Sequence, residues 1–198
     1  MHRVVLATRN AGKVAELRRI LAVYDIELVG LESFADIGDI AETGATFAEN
    51  ALIKAHEVSR STGLVAVADD SGLAVAALNG MPGVLSARWA GRHGDDLANL
   101  ELVLSQLVDV PEDRRGAAFV CAAAAATPDG REVVVTEQLD GTLRREPRGS
   151  NGFGYDPIFV PIGETRTTAE MSPERKDEIS HRGKAFRALA PRLTEMLD

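Results

Sequence analysis

The first 21 residues constrain the fold most, because they place a strand and a helix one after the other. The run VVLA, residues 4–7, is short and apolar, which is typical of a buried strand. After the loop Thr8–Lys13, four apolar residues recur at helical spacing: Val14, Leu17, Ile20 and Leu21. A strand that passes through a short loop into a helix is characteristic of α/β proteins. The sequence therefore predicts a mixed α/β fold.

The middle of the chain continues this alternation of helix and strand. Thr46 and Glu49 have the spacing of a capping box, and the helix that they start carries an apolar stripe formed by Phe47, Ala51, Ala55 and Val58. That helix should end before Gly63, and the strand-like run LVAVA follows it, with two aspartates at its end. Asp95 or Asp96 can start the next helix.

The second half supplies more strands and two further helices. AAFVCAAAAA and REVVVTEQL flank the turn TPDG, a pattern that predicts a β-hairpin. A long loop rich in Gly and Pro precedes Ser172 and Pro173, which suit the start of a helix. A last amphipathic helix is marked by Phe186, Leu189, Leu193 and Leu197.

Composition limits the classes of function. The chain has 198 residues, of which 45% are hydrophobic, and a formal net charge of -8. This acidic balance argues against general binding to nucleic acid or membranes, so an anionic ligand must meet local cations. The single cysteine, Cys121, cannot form an internal disulfide and suits a buried position. No apolar stretch predicts a signal peptide or a membrane span, so we expect a cytoplasmic protein.

Two short motifs could bind phosphate and metal. In TRNAGK, Asn10 and Lys13 lie where a strand gives way to a helix, so helix amides and Lys13 could bind phosphate, although an ordinary turn capped by Asn10 fits equally. The motif lacks the glycine spacing of a Walker A loop. In ADDSGL, strand periodicity sends Asp69 and Asp70 to opposite faces, so one can bind Mg²⁺ or accept a proton while the other supports local structure.

Each of these acids also has a purely structural interpretation. DDSG by itself is most simply an Asx-type turn. Glu42, in AETGATF, is a second candidate acid just before a helix, and by itself is most simply a solvated loop residue.

Two later motifs could bind a flat ligand. REPRGSNGFGYDPIF surrounds Phe153 and Tyr155 with glycines, which allow close approach to a ring, although a surface loop with one buried aromatic residue explains it too. KDEISHRG brings Lys176, His181 and Arg182 close together near a helix boundary, where a solvated helix start is the simpler interpretation.

Taken in order, the motifs resemble the inosine triphosphate pyrophosphatase family of RdgB-like dITP/XTP pyrophosphatases. The matching segments run from Val4 to the last helix: ATRNAGK, ETGATFAENALIKA, ADDSGL, PGVLSAR, GFGYDPIF and EISHRGKA. The resemblance implies a single domain over residues 1–198, with a long mixed sheet flanked by helices and two lobes around an active-site cleft. It also implies a homodimer that uses Mg²⁺ to hydrolyse dITP, ITP or XTP to the monophosphate and pyrophosphate, which would cleanse the nucleotide pool.

The resemblance also assigns roles to individual residues. Asp70 would be the catalytic acid–base residue and a Mg²⁺ ligand, with Glu42 as the second metal carboxylate. Lys54 could add positive charge. Substrate contacts would come from Thr8, Arg9, Asn10, Ala11, Gly12, Lys13, Ser71, Phe153, Gly154, Tyr155, Asp156, Lys176, His181 and Arg182. Arg9 is a departure, since many relatives have glycine there.

Two alternatives remain at this point. A related pyrophosphatase of the Maf-like class would prefer dTTP or modified pyrimidine nucleotides. A nucleotide-binding module without catalysis would keep the Gly-rich and basic motifs but would not need Asp70.

Overall fold

The computed structural model describes residues 2–24, 26–34 and 37–197. Six strands form one mixed sheet in the order β2-β1-β3-β4-β5-β6. The strands are β1 (His2–Leu6), β2 (Ile26–Gly30), β3 (Val65–Val75), β4 (Gly116–Ala126), β5 (Glu132–Leu143) and β6 (Phe159–Pro161). β1 runs parallel to β2 and β3, whereas β6 is antiparallel to β5. Five helices accompany the sheet: α1 (Ala11–Leu21), α2 (Phe47–Thr62), α3 (Asp96–Gln106), α4 (Pro173–Ile179) and α5 (His181–Leu197).

The chain divides into two compact units that share three of the strands. The first unit contains Met1–Asp70, Cys121–Glu137 and Arg182–Asp198, and the second contains Ser71–Val120 and Gln138–His181. β3, β4 and β5 each contribute residues to both units. Across the described part of the chain, no helix combines the length and the apolar character needed to cross a membrane.

The first unit buries apolar residues on both faces of its part of the sheet. On β1, Val4 and Leu6 join the core cluster that contains α1 and α5, while Val5 and, just after the strand, Ala7 belong to the cluster that contains α2. β4 alternates in the same way, with Cys121 on the first of these faces and Ala122 on the second. This alternation follows from the two-residue period of a strand. The small side chains of the alanine run therefore line both layers of the core.

The second unit has its own core. It gathers residues from β3, α3, β4, β5, β6 and the segment before β6, among them Leu73, Val103, Phe119 and Phe159. The Phe119 and Phe159 rings lie 4.3 Å apart between centroids. Arg115 is buried beside this core and donates to the backbone oxygens of Leu143, Leu107 and Arg144, so its guanidinium is satisfied by main-chain acceptors.

The α/β expectation is confirmed, and two of the predicted boundaries are wrong. Helix α1 begins at Ala11 rather than after Lys13, because the Asn10 side chain accepts from the Lys13 amide and caps the helix there. β3 does not stop before the aspartates but continues to Val75, so Asp69 and Asp70 lie inside a strand and the Asx-turn interpretation fails. β2, which has only five residues, was not predicted.

The start of helix α2 is confirmed in detail. Thr46 accepts from the Glu49 amide, and the Glu49 carboxylate accepts from the Thr46 amide, which completes the capping box. The helix ends at Gly63, whose φ of 69° lies in the left-handed region.

We expect Thr46→Ala to lower the free energy of unfolding by about 1 kcal/mol, since loss of the cap leaves the Glu49 amide without its side-chain acceptor. Urea denaturation monitored by circular dichroism measures the change. Ser61→Ala, at an exposed site in the same helix, is the matched control and should stay within about 0.5 kcal/mol of wild type. Equal effects of the two substitutions would contradict the importance of the cap.

Candidate active site

Asp69 lies at the centre of a buried ion-pair network in the first unit. Its Oδ2 atom is 2.9 Å from Lys13 Nζ on α1 and 3.3 Å from Arg182 Nε on α5. Arg182 also pairs with Glu16 of α1. Asp69 and Arg182 are both almost fully buried. The network therefore joins the middle of β3 to the two helices packed on one face of the sheet.

Asp70 contacts the helix on the other face. Asn50 Nδ2 of α2 donates to Asp70 Oδ2 at 3.0 Å. One turn later on α2, Lys54 Nζ lies 2.5 Å from Glu42 Oε1 and donates to the Asp69 backbone oxygen at 2.7 Å. The two aspartates thus project to opposite faces, as the period of the strand predicts.

The surroundings shift the pKa values of these two carboxyl groups in opposite directions. Burial alone would raise the pKa of Asp69, but the positive charges of Lys13 and Arg182 hold it well below its ordinary value. Burial raises the pKa of Asp70, and the nearby Glu42 carboxylate adds to this effect against the opposing influence of Lys54 and Asn50. The cationic partners of Asp69 therefore favour its ionised form, whereas burial of Asp70 makes its ionised form less favourable.

Lys54 is held as a cation among these acids. Burial lowers its pKa, but Asp69, Asp70 and Glu42 together raise it above the ordinary value. Its ammonium group stabilises the negative charge that β3 and the segment before α2 bring together.

A second cluster lies in the other unit and is organised around Asp156. Its Oδ2 atom accepts from the Phe153 amide at 2.8 Å and from Lys176 Nζ at 2.6 Å, while Oδ1 accepts from Thr168 Oγ1 at 2.8 Å. Lys176 Nζ also lies 5.0 Å from the centroid of the Phe153 ring, a cation–π distance. Gly152 has a φ of 76°, and a Cβ atom there would come within 2.0 Å of Asp156 Oδ2. The tight GFGYD turn thus depends on glycine.

Neighbouring residues of that unit are fixed by packing. Tyr155 is buried in the core, and its hydroxyl donates to the Ser86 backbone oxygen at 2.8 Å. The Gly154 amide donates to Asp96 at 2.9 Å. His181 stacks on Phe119 with a centroid distance of 4.9 Å. Phe153 is only partly buried, in contrast to Tyr155.

The residues predicted to bind phosphate are brought together at the start of α1. The Thr8 hydroxyl accepts from the Asn10 amide, Asn10 caps the helix, and Ala11, Gly12 and Lys13 form its first turn. Arg9 extends instead to the segment 37–39, where it contacts Asp39 and the backbone oxygens of Ile37 and Gly38. Glu42, Asp70 and Arg182 lie in the same unit, while Ser71, Phe153, Gly154, Tyr155, Asp156, Lys176 and His181 lie in the other.

Sequence reasoning missed three residues that hold these side chains in place: Glu16, Asn50 and Thr168. A signal for Asn50 was present. Asn50 and Lys54 are four residues apart beside the apolar stripe of α2, so they share its buried face. Polar residues on a buried helix face need partners, and the segments AETGATF and ADDSGL supply acids on either side of α2 in the sequence.

Asp70 and Glu42 are the residues suited to a metal ion. Carboxylate oxygens are ligands that Mg²⁺ prefers, and Mg²⁺ is usually held by one or two carboxylates together with water and substrate phosphates. Within the described ranges, no group of three or more His, Cys, Asp or Glu side chains could hold a metal. Asp70 and Glu42 would therefore need further oxygen ligands, from water or from substrate phosphates, to hold Mg²⁺.

The whole chain is similar to proteins of one family. Residues 4–192 match the Ham1 family. A protein of Streptomyces avermitilis named dITP/XTP pyrophosphatase is 63% identical over 199 residues, with both chains covered completely. One of the same name from Mycobacteroides abscessus is 57% identical and covers 99% of this chain and 97% of its own.

Solved structures agree in fold. The structure of a HAM1 protein from Coxiella burnetii superposes with a TM-score of 0.89 at 43% identity, covering 98% of this chain and 100% of that one. The crystal structure of a nucleoside-triphosphatase or dITP/XTP pyrophosphatase from Mycobacterium abscessus has a TM-score of 0.78 at 59% identity, covering 96% and 99%. With a match that extends over nearly all of its length, the chain belongs to the Ham1 family.

Proposed function

We propose that this protein is a Mg²⁺-dependent nucleoside triphosphate pyrophosphatase that hydrolyses dITP, ITP and XTP to the nucleoside monophosphate and pyrophosphate. The observation that carries the proposal is the buried Asp70 carboxyl, with its raised pKa, beside Glu42, Lys54 and the amide of Asn50. The names of the curated relatives support the choice of substrate. Membership of the Ham1 family disfavours the Maf-like alternative.

The start of α1 is the proposed site for the triphosphate. The first-turn amides of a helix have no partner within the helix, and the helix dipole favours an anion there. Lys13, fixed by Asp69, adds a positive charge at the same end of the helix. These groups explain how an acidic protein can bind a polyanion locally.

Asp70 is the proposed general base. In the reaction, a water oxygen forms a bond to the α-phosphorus, the bond from that phosphorus to the bridging oxygen breaks, and the water proton passes to Asp70. Bound through Asp70 and Glu42, Mg²⁺ would neutralise phosphate charge and polarise a phosphoryl oxygen. Lys54 pairs with the Glu42 carboxylate and holds it near β3.

The cluster around Asp156 is the proposed site for the base and sugar. Lys176 is bound by Asp156 and lies over Phe153, so the ring and the cation are presented together. Hydrogen-bond donors such as backbone amides can favour the 6-oxo acceptor of hypoxanthine and xanthine over the amino group of adenine. A site that requires a hydrogen bond discriminates more strongly than one that measures shape alone.

Pyrophosphate release from ITP, XTP, dTTP and ATP tests this function. We expect turnover of ITP and XTP with Mg²⁺, and a kcat/KM for ATP lower by at least about 100-fold, since an unsatisfied hydrogen-bonding site rejects the wrong base by a large factor. Preference for dTTP would instead support a pyrophosphatase of the Maf-like class. Binding of all nucleotides without turnover would support a nucleotide-binding module without catalysis.

Removal of the metal is a separate prediction. We expect EDTA to abolish turnover and added Mg²⁺ to restore it, because phosphate charge and the paired carboxylates otherwise repel each other. Light scattering or circular dichroism before and after chelation controls for unfolding. Full turnover in excess EDTA would contradict the Mg²⁺ requirement.

The wider role that we propose follows from the substrates. Hydrolysis of deaminated purine nucleotides in the cytoplasm would prevent their incorporation into DNA and RNA. We also propose that the protein acts as a homodimer, which sedimentation equilibrium would test through the molar mass.

A further inference from the structure

Asn50 is a buried polar residue that the sequence analysis assigned to no function. Its relative exposure is 0%. The side-chain amide uses both of its ends: Nδ2 donates to Asp70 Oδ2 at 3.0 Å, and Oδ1 accepts from the Gly44 amide at 2.8 Å. One side chain therefore connects the candidate general base on β3 to the segment that precedes α2.

That segment is held closely against the first turn of α2. The amides of Gly44, Ala45 and Thr46 donate in succession to Asn50 Oδ1, Glu49 Oε2 and Glu49 Oε2. A Cβ atom at position 44 would lie 2.8 Å from Asn50 Oδ1 and 2.6 Å from Glu49 Cβ. The close approach therefore requires glycine, and it fixes the chain two residues after Glu42.

The same helix face binds Glu42 itself. Asn50 and Lys54 are one turn apart, and Lys54 Nζ contacts Glu42 Oε1. Helix α2 thus holds Asp70 through Asn50 and Glu42 through Lys54. Two carboxylates that would otherwise repel each other are kept in a defined arrangement by two donors on one rigid element.

We propose that Asn50 is a positioning residue for the hydrolytic reaction, which orients the Asp70 carboxylate and fixes it relative to the Glu42 segment. The inference rests on the function proposed above for Asp70. A carboxylate can rotate about its last side-chain bond, and the Asn50 hydrogen bond restricts that rotation. Because proton transfer depends strongly on geometry, loss of this bond should affect turnover more than substrate affinity.

Two substitutions test whether Asn50 orients the Asp70 carboxylate or only holds the segment at Gly44. Asn50→Asp keeps an oxygen that can accept from Gly44 but presents Asp70 with an oxygen instead of a donor. Asn50→Leu removes both hydrogen bonds at similar volume. We expect kcat to fall by about 10–100-fold in both variants, as is typical when a partner of a metal ligand is lost, with KM within about threefold of wild type. If Asn50 only held the segment at Gly44, Asn50→Asp would keep a kcat near that of wild type. That result would overturn the proposal.

Asn99 provides the matched control. It is also buried in a helix and bridges to a loop, where Oδ1 accepts from the Ala90 amide at 2.7 Å and Nδ2 donates to the Ala87 oxygen at 3.2 Å. We expect Asn99→Asp to lower the melting temperature but to keep kcat within about twofold of wild type, since it contacts none of the proposed reacting groups. An equal loss of kcat in both Asp variants would overturn the proposal.

A thermal-unfolding cycle tests the contact without any activity. The melting temperatures of wild type, Asn50→Leu, Asp70→Ala and the double variant should be non-additive, because the first substitution has no Asp70 bond to break once Asp70 is absent. If the wild-type protein is active but the shifts in melting temperature are additive, the inference about Asn50 is overturned while the proposed function stands. A wild-type protein that releases no pyrophosphate overturns the proposed function, and the kinetic role of Asn50 with it.

Discussion

Replacing Asp70 by Asn is expected to lower kcat for ITP by about 10²–10⁴-fold, the range found when a general base is lost. The substitution preserves size and retains an oxygen to accept from Asn50 Nδ2, so the hydrogen bond seen at 3.0 Å can persist. It removes both the proton acceptor and one of the two negative charges suited to Mg²⁺. Pyrophosphate release under saturating ITP and Mg²⁺ measures the loss.

The control for this prediction is Asp109→Asn, which removes an exposed carboxylate. It should leave kcat within about twofold of wild type, since surface charges far from a site act weakly. Near wild-type turnover by Asp70→Asn would contradict the role of Asp70, whatever the substrate.

The same carboxyl group predicts the direction of the pH dependence. Its pKa is raised mainly by burial and further by Glu42. A general base must be ionised, so kcat/KM should fall in acid, at a pH below the metal-free pKa because a Mg²⁺ ion bound to Asp70 would favour its ionised form. Glu42→Gln removes the neighbouring negative charge and should lower the pKa of Asp70. The Asp70 pKa can be followed directly by NMR in the protein without metal, where an unshifted pKa in Glu42→Gln would contradict the coupling.

Asp69→Asn should have the largest effect on stability. It leaves Lys13 and the buried Arg182 without the carboxylate that both contact. Removal of one partner from a buried ion pair typically costs about 3–5 kcal/mol, because the remaining charge stays buried. Urea denaturation at neutral pH measures the difference from wild type. Asp140→Asn, at an exposed position on β5, is the control and should change stability by less than about 0.5 kcal/mol.

The pH dependence of this effect has a definite sign. Because the folded-state pKa of Asp69 lies below its unfolded value, its contribution to stability is complete above the unfolded pKa of about 3.9 and is lost as the pH falls toward the folded value. The stability difference between wild type and Asp69→Asn should therefore be constant near neutrality and shrink in acid. A difference that grows as the pH falls would contradict the ion-pair account.

The local elements of the fold were predictable because their signals are local. The capping box at Thr46 and the hairpin turn TPDG are each defined by a few adjacent residues. The extent of β3 was not predictable from local signals. Its continuation through two aspartates depends on Lys13, Arg182 and Asn50, which are distant in sequence. Those tertiary partners make it possible for two carboxylates to lie inside a strand.

The opposite orientation of the two aspartates was predictable, but the partners of the candidate site residues were not. The two-residue period of a strand predicted that Asp69 and Asp70 face opposite sides of the sheet. In the structure, Asp69 contacts α1 and Asp70 contacts α2. The pairing of Arg182 with Glu16, and of Asp156 with Thr168, joins residues far apart in the chain. No local pattern encodes such pairs, because either partner would also be stable in solvent.

Hydrolysis of XTP in water enriched in ¹⁸O tests the central claim most directly. We expect wild-type protein with Mg²⁺ to form xanthosine monophosphate and pyrophosphate in equal amounts, with the label in the monophosphate, and Asp70→Asn to form neither at a comparable rate. Release of inorganic phosphate, or label found only in the pyrophosphate, would show attack at a different phosphorus atom and contradict the account.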